Sequence, residues 1–113
     1  MEAKTNILLV EDNPADARLM DIYLKESYND SYVLTTCEYV SKALPLIAEN
    51  AYDIIILDLT LPDSSGLDTF KKIYAHSWHI PIIVLTGLKD ETIGINAVKL
   101  GAQEFITKGE LKV

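Results

Sequence analysis

Glu11, Asp12, Asp58, Thr86 and Lys108 share one local context: each comes directly after a short run of strand-forming residues. Brought together, three carboxylates, a hydroxyl and an ammonium could do a definite kind of chemistry. Carboxylates held close repel one another and raise one another's pKa unless a cation neutralises them. Hard carboxylate oxygens with water-filled positions suit Mg²⁺, which keeps several waters and commonly bridges to a phosphate. No Cys/His ligand set exists, which disfavours zinc. A carboxylate in line with Mg²⁺ could attack a phosphoryl group, with the metal and Lys108 offsetting charge on its equatorial oxygens. The Thr86 hydroxyl could donate to a third oxygen, and Gly87 leaves space for that group. Taken singly, each residue has an ordinary explanation, and Asp58 alone reads at least as well as a turn cap.

The elements that would position these groups are legible in the hydrophobic pattern. Ile54 to Leu57 are four consecutive apolar residues without the alternation of a strand that has one wet face. They read as a central strand covered on both sides, ended by Asp58 and turned by Pro62, Asp63, Ser64, Ser65 and Gly66. Asn6–Val10 is a second such run, followed at once by Glu11 and Asp12. Asn13-Pro14 then starts a helix well, since Asn caps and Pro suits the first helical position. That helix carries Leu19, Met20, Ile22, Tyr23 and Leu24 on a broad apolar face, and Tyr28 to Ser31 is a polar break. Tyr32–Thr36 reads as a strand. Val40, Ala43, Leu44 and Ile47 follow at helical spacing, with Pro45 implying a start near Ser41 or a kink.

Leu67, Phe70, Ile73 and Tyr74 give a third helix. Ile80–Leu85 is another buried strand, with Pro81 tolerable near its start. Asp90 can cap a fourth helix through Ile93, Ala97, Val98 and Leu100, with Gly101 as its left-handed terminator. Gly94 inside it predicts a loosely held helix. Gln103–Thr107 is the last strand. Strands alternating with helices imply a parallel sheet with right-handed crossovers and helices on both faces. All strands of such a sheet end on one side, so the five residues must converge on one rim, where ligands bind in open α/β sheets.

Composition bounds the class. The 113 residues suit a single domain spanning 1–113, and 49% hydrophobic with 24% charged residues is ordinary for a globular chain. Seventeen acids against ten bases give a net charge of −7, which argues against direct contact with nucleic acid or an anionic membrane. The single cysteine, Cys37, permits no internal disulfide and falls in a strand, where a buried inert thiol is expected. No apolar run approaches the ~20 residues needed to cross a bilayer, and the N-terminus lacks a signal-peptide core. A cytoplasmic location is expected.

The chain resembles the receiver (CheY-like) domain of two-component response regulators over nearly its whole length. The resemblance lies in Glu11-Asp12 with Asn13-Pro14, in Asp58 followed by Leu61-Pro62-Asp63 and Gly66, in Thr86-Gly87, and in Gly101-Ala102 leading to Phe105 and Lys108. It implies a flavodoxin-like, doubly wound, five-stranded parallel sheet of order 2-1-3-4-5. It also implies that Asp58 accepts a phosphoryl group from the phosphohistidine of a histidine kinase or phosphotransfer protein. Glu11 and Asp12 would then hold Mg²⁺ with Asp58 and the backbone carbonyl of Thr60. Thr86 and Lys108 would bind the phosphoryl oxygens. Phe105 would rotate inward when Thr86 moves toward the phosphate, and Thr60 and Leu88 would tune the access of water to the acyl phosphate. Such a chain is a switch acting on an output partner, not an enzyme beyond its own phosphorylation and dephosphorylation.

Departures from the family pattern bear on this reading. Gly109 stands where a proline usually follows the lysine, and Phe105 lacks the hydroxyl of a tyrosine. Only Glu110 to Val113 remain where a fifth helix should begin, so this helix is expected to be truncated or absent. The apolar strand face it leaves invites a partner, a second copy of the chain among them. Rival classes fit less well. A haloacid-dehalogenase-type phosphohydrolase wants a second Asp at the position of Thr60, and an FMN carrier wants a Ser/Thr/Gly-rich loop where Glu11-Asp12 stand. A phosphorylation-independent interaction module usually loses the acids, the acceptor or the lysine, all present here.

Overall fold

Unbroken apolar runs make strands that can be buried on both faces, and that is where the sheet places them. A computed structural model describes residues 4–111. In chain order come β1 (Thr5–Val10), α1 (Pro14–Tyr28), β2 (Tyr32–Cys37), α2 (Val40–Glu49), β3 (Ile54–Asp58), β4 (Thr60–Leu61), β5 (Ser64–Ser65), α3 (Leu67–Tyr74), β6 (Ile82–Thr86), α4 (Glu91–Lys99) and β7 (Glu104–Thr107). Five strands form one sheet of order β2-β1-β3-β6-β7, every neighbouring pair parallel. This is the expected 2-1-3-4-5 order once the small antiparallel hairpin of β4 and β5 is counted.

Alternate residues of each strand feed two cores. Leu8, Val10, Ile55, Leu57 and Val84 pack with Ala43 and Ile47 of α2, Phe70 and Ile73 of α3, and Ala97 of α4. On the other face Ile7, Leu9, Ile56 and Leu85 pack with Met20 and Leu24 of α1 and with Leu111. Four α-helices are present among the described residues, and the fifth helix of the family pattern is not among them. After β7 the chain makes one 3-10 turn, Lys108–Glu110, and Leu111 tucks under the α1 face. Beside it a groove of about 190 Å³ stays open, lined by Met20, Leu24, Ile54, Ile56, Ile83 and Ile106 among others.

Helix α2 begins at Val40, within one residue of the expected start near Ser41, and continues through Pro45. The proline lies far enough into the helix that the hydrogen bond it removes is the one to the Ser41 carbonyl, in the first turn. No local side chain caps this helix. Asp63 does so from the loop after β4, its two carboxylate oxygens accepting from Val40 N and Ser41 N, each at 3.1 Å. One helix start differs from the sequence-based expectation: Asp90 stands at the N-cap position of α4 but makes no side-chain capping bond, being drawn into the 3-10 turn Leu88–Asp90. The C-terminus of α4 closes as the sequence predicts. Gly101 adopts φ +127°, Gly101 N donates to Val98 O and Ala102 N to Ala97 O, the two bonds of a Schellman motif.

Asp63→Ala is expected to lower stability by about 1 kcal/mol, the usual effect of losing a helix N-terminal cap. Slight burial works against the Asp63 carboxylate, but the Ser41 and Val40 N–H groups outweigh it and hold its pKa below the usual value of 3.8. A depressed pKa means that this contribution is present above the unfolded-state value and lost as pH falls through the folded one. Urea midpoints of the two chains should therefore differ at pH 7 and converge in acid. Cys37, buried at the end of β2, has its thiol pushed up to about 11 by desolvation, as an inert core thiol should.

Candidate functional site

Because β1, β3, β6 and β7 run parallel, their carboxyl ends share one rim. Glu11 and Asp12 follow β1, Asp58 closes β3, Thr86 closes β6, and Lys108 follows β7. Glu11, Asp12 and Asp58 each offer a carboxylate oxygen within 4.8 Å of the other two. Lys108 Nζ lies 2.9 Å from Asp58 Oδ2, 2.9 Å from Glu11 Oε1 and 2.8 Å from Asp16 Oδ2. Asp58 Oδ1 accepts from Thr60 N at 3.0 Å, and Glu11 Oε2 accepts from Asn13 N at 3.2 Å.

The electrostatics follow from this crowding. Glu11 is buried, and desolvation, reinforced by Asp58 and only partly opposed by Lys108, pushes its carboxyl up to about 7. Burial works against the Lys108 ammonium, but Asp16, Glu11 and Asp58 outweigh it and hold its pKa above the ordinary lysine value. Among the described residues two buried side-chain oxygens, Glu11 Oε1 and Thr86 Oγ1, have no hydrogen-bond partner. The Glu11 atom is close to Lys108 in distance yet off the hydrogen-bonding direction. A buried polar atom without a partner is uncommon and calls for a physical reason. A cation for Glu11 Oε1 and an acceptor for the Thr86 hydroxyl would each supply one.

Of the residues singled out in the sequence, Glu11, Asp12, Asp58 and Lys108 form this cluster directly. Thr86 stands one residue beyond Leu85, which pairs in register with Asp58. Thr60 opens β4 with its side chain exposed and its N–H on Asp58. Leu88 opens the 3-10 turn after β6, and its side chain lies outside the described residues. Phe105, half-buried in β7, packs against α4 at Gly94. His76 and His79 sit exposed in the turn after α3, at the opposite end of the sheet. Asp16 is the one site residue that sequence reading missed. Its only signal was an acid in the first turn of α1, which any helix favours there.

A doubly wound parallel sheet of this order, carrying an acid cluster and a lysine at its carboxyl rim, defines a class of single-sheet α/β domains with the site at the switch point. Residues 7–112 match the response regulator receiver domain, and the chain belongs to that family. It is 36% identical over 105 residues to the transcriptional regulatory protein KdpE of Staphylococcus aureus, covering 93% of this chain and 44% of the relative. To the regulatory protein VanR of Enterococcus faecium it is 38% identical over 103 residues, covering 90% and 42%. It thus spans less than half the length of these relatives. A receiver domain protein of Clostridium thermocellum superposes with a TM-score of 0.75 at 29% identity, over 92% of this chain and 82% of that one. Among the described residues no helix is long and apolar enough to cross a membrane.

Proposed function

We propose that residues 1–113 act as one receiver unit, a cytoplasmic phosphoacceptor switch in which Asp58 takes a phosphoryl group from a phosphohistidine on a histidine kinase or phosphotransfer protein. The observation that carries this reading is the Asp58 carboxylate itself, buried at a strand end, 2.9 Å from the Lys108 ammonium and within 4.8 Å of Glu11 and Asp12. One Asp58 oxygen attacks phosphorus and the P–N bond opposite it breaks; the phosphohistidine ring, protonated on its other nitrogen, leaves as neutral imidazole. Lys108 and the unpartnered Thr86 hydroxyl then bind phosphoryl oxygens. Water later cleaves the acyl phosphate, with Thr60 and Leu88 setting its access. The chain so catalyses only its own phosphorylation and dephosphorylation.

The residues fit a magnesium site. Three carboxylate oxygens lie close enough to share one ion, all are hard donors, and Glu11 Oε1 is buried without a hydrogen-bond partner. Glu11, Asp12, Asp58 and the Thr60 carbonyl would hold Mg²⁺, which when bound offsets charge on the carboxylates and on the transferring oxygens. The phosphoryl group adds up to about two negative charges, and only contacts that differ between two conformations convert that into a switch. Thr86 moving toward the phosphate and Phe105 turning inward behind it supply such contacts, for an output domain or protein.

Incubation with Mg²⁺ and acetyl phosphate, followed by intact mass, tests the reading. A wild-type chain that gains no phosphate would end it. The open groove beside α1 supports a further part of the reading, in which a second copy covers it. Sedimentation velocity should then show a weight-average mass that rises with concentration, whereas a constant 12.6 kDa species would remove the dimer and leave the switch.

A further inference from the structure

Lys108 donates hydrogen bonds to Asp58 at 2.9 Å and Asp16 at 2.8 Å, and Glu11 Oε1 lies 2.9 Å from its Nζ as an ion-pair neighbour. An ammonium has three donors and no more. Two of them are committed to Asp58 and Asp16, so Lys108 cannot turn more than one donor to a phosphoryl group unless one of these carboxylates is given up. The three carboxylates are not equivalent. The side chains of Glu11 and Asp58 are 0% and 5% exposed, so losing the lysine would strand a buried charge there. The Asp16 side chain is 28% exposed, at the mouth of the pocket, and water can replace the lysine on it. Asp16 also lies outside the group of acids placed to share a metal ion. Its negative charge therefore stays uncompensated as an anionic phosphoryl group approaches.

We propose that Asp16 is a positioning residue for phosphoryl uptake: it holds Lys108 in the unmodified chain, loses it to the phosphoryl group, and so restrains modification of Asp58. The proposal rests on the reading of Asp58 as acceptor. The ion pair also ties the first turn of α1 to the turn after β7, across 92 residues of sequence. Release of Lys108 thus loosens a contact between two elements at the same moment that the site is filled.

The test is a titration of the full chain with beryllofluoride, a phosphoryl mimic, in saturating Mg²⁺, followed by ¹⁹F NMR. Thermal unfolding of each variant confirms the fold. Asp16→Asn should bind the mimic about threefold to tenfold more tightly, the scale of one half-exposed charged contact. Asp16→Glu, which keeps the charge, should bind as wild type does. Glu26→Gln, removing one exposed charge elsewhere on α1, should change nothing. Unchanged or weaker binding by Asp16→Asn overturns the proposal, and so does an equal gain in Glu26→Gln, which would reduce the effect to net charge. Failure of wild type to bind the mimic while folded overturns the acceptor reading and this proposal with it. Normal wild-type binding with no gain in Asp16→Asn sinks only the role of Asp16.

Discussion

Asp58→Asn should remain at its unmodified mass after exposure to acetyl phosphate and Mg²⁺, under conditions in which wild type takes up one phosphate. An amide oxygen has no full negative charge to place on phosphorus, and in the proposed site the neighbouring acids Glu11 and Asp12 are taken up by the metal ion. Residual uptake should fall at least about a thousandfold, the scale expected when a nucleophile is removed. The same substitution should leave stability unchanged or raise it by about 1 kcal/mol in the absence of Mg²⁺, because a buried carboxylate among others is unfavourable and its replacement relieves repulsion. The substituted amide keeps an acceptor oxygen for Thr60 N, and Lys108 keeps Glu11 and Asp16. Added Mg²⁺ should raise the unfolding temperature of wild type more than that of the variant, since only ligands that bind the folded state stabilise it. A variant that lost several kcal/mol would show that Asp58 is a structural ion-pair partner and not a reactive group.

The rim was legible because its logic is local. A buried parallel strand announces itself by an unbroken apolar run, and the residue after the run must lie at the carboxyl edge whatever the rest of the chain does. Glu11, Asp58 and Lys108 meet for that reason. What could not be read depended on how separate elements dock. Pro45 suggested the start near Ser41, but not that Asp63 would cap α2 there from the hairpin loop. Asp16 reaches Lys108 because the first turn of α1 and the turn after β7 meet at the same rim, and no pattern within α1 encodes that contact. Asp90 looked like a cap by residue type, but the 3-10 turn before α4 takes its backbone instead. Residue type and spacing set the elements, whereas contacts between helices and loops were fixed only by packing.

Gly94→Ala should destabilise the wild-type chain and stabilise one that lacks the Phe105 ring. By helix propensity alone, alanine in place of an interior glycine gains about 1 kcal/mol. Gly94 is buried, however, and a Cβ built there would stand 2.6 Å from Phe105 Cδ2, 2.7 Å from Cγ and 3.1 Å from Cβ. These are atoms near the root of the side chain, which a small torsional adjustment cannot move away. The glycine is therefore there to let the ring lie on the α4 backbone, which the sequence showed only as a weakness in the helix. Overpacking of this kind costs about 1–3 kcal/mol, enough to reverse the propensity gain. In a Phe105→Ala background the ring atoms are gone and the gain should return, so a double-mutant cycle read by urea unfolding should give a coupling of about 2 kcal/mol. The alternative way for the chain to relieve the clash is to turn the ring out of its present position, the same movement assigned to it in the phosphorylated state. Gly94→Ala should then bind beryllofluoride more tightly than wild type, because the unmodified conformation alone has been penalised. Weaker binding would mean that the ring lies against Gly94 in both states, and that the motion coupled to Thr86 belongs to another side chain.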